Sequence, residues 1–168
     1  EKGTPGFAVA RSLKKMGWRG SPTGELVFDD CRVPAANLVG GEDAGVRVVM
    51  SGLDIERVFF SGHVIALAQR ALDLSLDYAR TRIQFGQPIG SFQLVQGMLA
   101  DMYTALESVR AFTYQVLKEI AAAGEAGRGE IHKRSAACVL HAGYMLKTVL
   151  DHAVQIHGGS GFVWDTEV

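Results

Sequence analysis

The residue types best suited to chemistry sit together in Gly52-Leu53-Asp54-Ile55-Glu56-Arg57. Apolar residues recur in steps of three and four through Val46, Val49, Leu53, Phe60, Val64, Leu67, Ala71, Leu74 and Tyr78, the period of one helix face, and at Glu56/Arg57 that face turns charged. Acids and bases are seldom buried without a partner or a function. Desolvation on an apolar face disfavours the ionised form of a carboxylate and so moves it toward proton transfer near neutral pH. A structural alternative stays open. Adjacent helical residues point about 100° apart, so Glu56 and Arg57 would each need an ion-pair partner on another helix.

Two further stretches could bind an anion. Thr81 to Gly90 places Arg82 among Gln84, Phe85-Gly86, Gln87 and Pro88, and Gln93 follows shortly after. A guanidinium presents a planar fork that pairs two phosphate oxygens. Gln155-Ile156-His157-Gly158-Gly159 ends in glycines, which let backbone N–H groups approach an anion with no Cβ in the way. Taken singly, Arg82 is a solvated loop charge and Gly158-Gly159 a helix stop.

Other chemistries lack their residues. His152 and His157 are five apart and no HxxxH or HExxH spacing occurs, so no metal site is expected. No GxSxG, Walker or GxGxxG pattern is present. Cys31 and Cys138 fit no CxxC or zinc spacing and read as two reduced thiols. The formal net charge of −1 leaves no electrostatic footprint for nucleic acid or an anionic membrane, and no apolar run is long enough for a membrane span.

These groups must be positioned by the rest of the chain, whose 168 residues make one domain or parts of two. Residues 1–40 are turn-rich with short strand-like runs, Glu25-Leu26-Val27-Phe28 and Cys31-Arg32-Val33, the latter closed by Pro34. They predict a piece of a β domain with too few strands to close a sheet. From about Gly45 the period becomes helical. The pattern predicts a first helix to about Arg80, a second from an N-cap at Ser91, and a third from about Glu130 to a glycine stop at Gly158-Gly159. The second carries Val95, Leu99, Met102, Leu106, Val109, Val116 and Ile120 on one stripe, and the third Ile131, Cys138, Ala142, Met145, Val149 and Ile156. Gly124-Glu125-Ala126-Gly127-Arg128-Gly129 separates them. Three helices of roughly 30 residues, joined by short connections, predict antiparallel packing in a bundle. A start without Met and an end just after a glycine-rich turn read as cut ends.

A β-rich piece leading into three long helices, with an acid on the first and an Arg/Gln/Gly loop after it, resembles the acyl-CoA dehydrogenase family. Four stretches carry the resemblance across nearly the whole chain. They are Met16-Gly17-Trp18-Arg19-Gly20-Ser21 with Val33-Pro34-Ala35-Ala36-Asn37, Gly52 to Arg57, Arg82 to Gln87 with Gln93, and Gln155 to Gly161. Within the family, Met50 to Arg57 is most similar to the isovaleryl-type branch, although Arg47 stands where that branch has an aromatic residue.

The resemblance implies a mainly α fold. Residues 1–40 would be the end of the middle β domain, and 41–168 a C-terminal four-helix bundle cut before its last helix. It implies FAD as cofactor, with Arg82, Gln93, Gln155, Ile156, His157, Gly158 and Gly159 approaching it from a neighbouring subunit of a homotetramer. It implies a short or branched acyl-CoA as substrate, Glu56 as the α-proton base, Asp54 and Arg57 as substrate contacts, and an electron-transfer flavoprotein as partner. The implied compartment is a bacterial cytoplasm or a mitochondrial matrix. An oxidase or flavin monooxygenase of similar fold, and a non-catalytic helical module, remain as alternatives.

Overall fold

The computed structural model describes residues 2–123 and 129–168. The chain divides into two compact units, Glu1–Val46 and Arg47–Val168. In the first, β1 (Phe7–Leu13) and β2 (Thr23–Phe28) form an antiparallel hairpin running from Phe7↔Phe28 to Leu13↔Thr23, with an irregularity between Val9 and Arg11. Cross-strand pairs support it. The Phe7 and Phe28 rings lie 5.2 Å apart, and Arg11 Nε lies 2.7 Å from Glu25 Oε2.

The hairpin corrects one expectation. Glu25 to Phe28 is strand, but Cys31-Arg32-Val33 is not, and the partner of β2 lies upstream in Phe7–Leu13. Just after β2, Asp30 adopts φ 43°, outside the extended region that a ladder needs, and its carboxylate accepts from Arg32 Nε at 3.2 Å.

In the second unit, α1 (Gly45–Thr81), α2 (Gln93–Ala123) and α3 (Gly129–His157) dominate. The helix-breaking glycines predicted at 124–128 lie outside the described residues. Contacts along the helices give their directions. Arg134 and Phe112 approach near one end of the α2–α3 pair and His152 and Asp101 near the other, so α2 and α3 are antiparallel. Asp54 meets His132 and Tyr78 meets His157, so α1 and α3 run parallel. The bundle is therefore up, down, up.

Each helix buries a seam in alternating steps of three and four. In α1 it is Asp54, Val58, Ser61, Ile65, Ala68, Leu72, Ser75 and Ala79; in α2, Met102, Leu106, Val109, Thr113 and Val116; in α3, Ser135, Cys138, Ala142, Met145 and Val149. That 3.5-residue spacing is the one that keeps a seam facing its neighbours in knobs-into-holes packing. For α2 and α3 the seams follow the stripes in the sequence. For α1 they do not. Of the predicted stripe only Val64 and Ala71 are buried, while Val46, Val49 and Leu67 are 77%, 63% and 54% exposed. The buried seam of α1 is rich in Ser and Ala, so the face richest in large apolar residues is not the one that packs.

Most of the core is one cluster, including Ile65, Ala68 and Leu72 from α1, Met102, Leu106 and Val109 from α2, and Met145, Val149 and Ala153 from α3. A second cluster contains only Val58, Val116 and Cys138 as buried apolar residues. Buried Asp54, Ser61, Thr113 and Ser135 share the seams around it. Among the described residues, no helix is long and apolar enough to cross a membrane.

Candidate functional site

Two local constructions hold the residues singled out in the sequence, one at each end of α1. At its C-terminal end, the Arg82 N–H donates to the Tyr78 carbonyl at 2.8 Å, and its own carbonyl accepts from the Ile89 N–H at 2.9 Å. Arg82 is thereby the base of a small hairpin, β3 (Ile83–Gln84) paired with β4 (Gln87–Pro88). The intervening Phe85 and Gly86 have φ 53° and 79°, both positive as a two-residue type I′ turn requires. A non-glycine residue there costs about 1–3 kcal/mol and persists only where its surroundings determine it. Phe85 stands edge-on to Phe92, with ring centroids 6.2 Å apart.

Helix α2 follows, one residue later than the predicted cap implies. Ser91 belongs to a 3₁₀ turn, Ile89–Ser91, and the carbonyl that receives the first helical N–H groups, those of Val95 and Gln96 at 3.0 Å, is that of Phe92.

Facing the hairpin is the end of α3. Gly158, at φ 57°, closes the helix in the left-handed conformation that glycine adopts most readily, and a 3₁₀ segment runs on to Phe162. Gly161 is required for a different reason. A Cβ there would lie 2.6 Å from the Val154 carbonyl oxygen. His157 is buried, its ring stacked on Tyr78 at 4.4 Å, with Nδ1 2.8 Å from the Ala153 carbonyl oxygen. A carbonyl only accepts, so Nδ1 carries the hydrogen.

Together these pieces form a concavity of about 400 Å³, with Arg82 and Gln84 on one side and Ile156 to Ser160 on the other. Positions where a Cβ would sit on Gly158 and Gly159 are open, so their backbone is accessible to an incoming group. An exposed guanidinium opposite approachable glycine backbone fits a phosphate or pyrophosphate. Of the predicted cofactor residues, Arg82, Ile156, His157, Gly158 and Gly159 are brought together here. Gln93 and Gln155 are exposed and do not line this concavity.

Toward its other end, α1 carries Glu56, which is exposed. The acid on the buried face is instead Asp54, 7% exposed. At about 100° per residue the two point roughly 160° apart, so burying the first leaves the second outside. Asp54 and Arg57, predicted as substrate contacts, are engaged within the bundle. Asp54 Oδ1 lies 2.7 Å from His132 Nδ1 and 3.2 Å from Arg57 Nη1, with Arg57 Nη1 3.5 Å from His132 Nδ1. His132 was not singled out in the sequence. Its partner is 78 residues away, and no spacing sets it apart from the other histidines. Among the described residues, no three metal-ligating groups come together.

Comparison with known proteins shows the family to which this fold belongs. The profile of the family described as acyl-CoA dehydrogenase, C-terminal domain, matches residues 43–168. The chain belongs to the acyl-CoA dehydrogenase family. It is 46% identical over 164 residues to the mitochondrial isovaleryl-CoA dehydrogenase of Oryza sativa subsp. japonica, covering 97% of the chain and 39% of that protein. It is 45% identical to acryloyl-CoA reductase (NADH) of Anaerotignum propionicum, covering 98% of the chain and 41% of that protein.

Among solved structures of this fold, butyryl-CoA dehydrogenase from Megasphaera elsdenii superposes with a TM-score of 0.90 at 34% identity, over 99% of the chain and 42% of its own. A structure titled for an electron transferring flavoprotein of Acidaminococcus fermentans gives 0.88 at 35% identity, over 98% and 42%. The chain thus spans about two fifths of the acyl-CoA dehydrogenase relatives it matches. The mainly helical fold with its three long helices is that of the family's C-terminal domain.

Proposed function

We propose that the full-length protein is an FAD-dependent acyl-CoA dehydrogenase that introduces an α,β double bond into a short or branched acyl-CoA. The observation that carries this is the match to an isovaleryl-CoA dehydrogenase over 97% of the chain, in which Glu56 stands exposed beside a turn whose other charged residues are already paired. An exposed carboxylate is free to meet a substrate held against this face. Glu56 takes the α-proton, and FAD, when bound, supplies the acceptor for the β-hydride. A carboxylate in this role typically contributes 10²- to 10⁴-fold in rate, to order of magnitude about three decades.

Residues 1–40 are assigned to the end of the middle β domain and 41–168 to the C-terminal helical bundle. Arg82 with Ile156 to Gly159 is the site proposed for the cofactor's phosphates, with Gln93 and Gln155 as outer contacts. Along α1, Glu56 and Arg82 stand roughly 40 Å apart, farther than one dinucleotide reaches. That separation supports two active sites served by one chain, as in a homotetramer where Arg82 reaches FAD in a neighbouring subunit. The similar structure named for an electron transferring flavoprotein supports an electron-transfer flavoprotein as the oxidant. Relatives named as mitochondrial support a matrix location for a eukaryotic source.

The test is an acyl-CoA panel on the full-length enzyme beside Glu56→Gln. Turnover of isovaleryl- or butyryl-CoA is expected, with loss of activity in the variant. Near-normal turnover by Glu56→Gln would move the base outside this segment. A second reading runs the same chemistry backwards, as the name of the acryloyl-CoA reductase relative implies. Oxidation of NADH upon adding an enoyl-CoA would favour it, and rapid reoxidation of the reduced flavin by dissolved oxygen would favour an oxidase.

A further inference from the structure

We infer that His132 is a positioning residue for Glu56, fixing the rotation of the α1 turn that carries it; the inference rests on the reading of Glu56 as the base. Around this turn the apolar packing is thin. Val58 is the one α1 residue in the small cluster with Val116 and Cys138, while Val46, Val49, Ile55 and Phe59 are exposed. Apolar burial is non-directional, and so little of it leaves the rotation of this first part of α1, about three turns before the large cluster begins at Val64, to be fixed by other contacts.

The Asp54–His132 contact is directional. Nδ1 donates to Oδ1 across 2.7 Å, from α3 to α1, because a carboxylate can only accept. Arg57 donates to the same oxygen from the next turn of α1 at 3.2 Å. Asp54 is buried, so its carboxylate meets little competing water, while His132 reaches it from a partly exposed position.

Glu56 projects from the opposite side of the same turn. A side-chain end lies about 5–6 Å from a helix axis, so a rotation of ~10° would carry the Glu56 carboxylate about 1 Å. Misplacement of a reacting group by ~1 Å can cost on the order of 100-fold in rate. His132 therefore acts on the reaction through Asp54 and the helix, without touching the substrate.

The full-length, flavin-loaded protein tests this with two substitutions. His132→Leu keeps bulk and removes the donor. His132→Asn places an amide N–H as many bonds from Cβ as Nδ1 is. Leucine is expected to lower kcat about tenfold with KM for the acyl-CoA changed by less than about twofold, and asparagine to recover kcat to within about threefold of the parent. Equal kcat in the two variants, or a lower Tm with kcat unchanged, would overturn the inference.

Asp54→Asn gives an independent route should the leucine variant fold poorly. A similar loss of kcat is expected, and the losses from His132→Leu and Asp54→Asn should not multiply when combined. Multiplying losses would mean the two residues act separately. Glu56→Gln separates the levels. If it is inactive while His132→Leu is normal, only the positioning role falls; if it keeps turnover, the base assignment falls and takes the positioning role with it.

Discussion

The two ends of α1 are built on different principles. From Val64 onward its seam enters a large apolar cluster, with Met102, Leu106 and Val109 on one side and Met145, Val149 and Ala153 on the other. Around Glu56 the seam is short of apolar side chains and held by one buried carboxylate with two cationic or polar donors. Packing holds the first region, and orientation-sensitive hydrogen bonds hold the second. A cofactor's phosphates need a rigid floor, whereas a base needs a particular direction, and each end has the means suited to its proposed task.

Substitutions that separate packing from polar links should give different signatures when the full-length protein is unfolded by urea. Leu106→Ala, in the dense cluster, is expected to cost the most, about 2–5 kcal/mol, because the void cannot collapse fully. Asp54→Ala should cost less, about 1–3 kcal/mol, mainly by stranding its partly exposed donors. If it cost more than Leu106→Ala, the polar region would be the more strongly held.

Ser135→Ala should reverse the sign. Its buried hydroxyl has no hydrogen-bond partner among the described residues, so removing it is expected to be neutral or to raise stability by up to about 1 kcal/mol. A clear loss would show that the hydroxyl is satisfied in solution.

The pH dependence should be smaller. Burial, the leading cause, raises the Cys138 thiol above its ordinary value of 9.0. A folded pKa above the unfolded one means that the neutral thiol's contribution is fully present below pH 9.0 and is lost as pH rises further. The fall in urea midpoint above that pH should therefore shrink in Cys138→Ala.

The smallest effect is expected at the exposed Arg70–Glu167 pair, whose two N–O distances are 2.8 and 2.6 Å. The hydrogen bond from Arg70 lowers the Glu167 carboxyl below its ordinary 4.5, so its contribution is present above that pH and fades as pH falls through the folded value. Molar salt should remove it.

Much of this architecture was legible in the sequence, and the exceptions share a cause. The seams of α2 and α3 could be read because Met102, Leu106, Val109, Met145 and Val149 are large, apolar and correctly spaced. That of α1 could not, because it runs through Ser61, Ala68, Ser75 and Ala79, small residues that carry little hydrophobic signal. The same register error put the buried acid at Glu56 instead of Asp54. Strand β1 was hidden for a related reason, since its side chains are mostly exposed and follow no strong alternation.

The Arg82–Gly158 concavity was foreshadowed because loop arginines and terminal glycines mark themselves by type. The Asp54–His132 link was not, because a contact between residues 78 apart leaves no local trace.

The up-down-up arrangement has an electrostatic consequence at the Arg82 concavity. Helices α1 and α3 both finish there, each C-terminus equivalent to about half a negative elementary charge, while only α2 begins there, with about half a positive one. Summed, the backbone makes this end of the bundle mildly repellent to anions. Arg80 is drawn to Asp77, 3.7 Å away, leaving Arg82 as the wall's full positive charge among the described side chains. In the role proposed for it, its guanidinium has two tasks, cancelling the field of the two helix ends and supplying the attraction that remains. Replacing it by glutamine would change the sign of the surface that a phosphate meets.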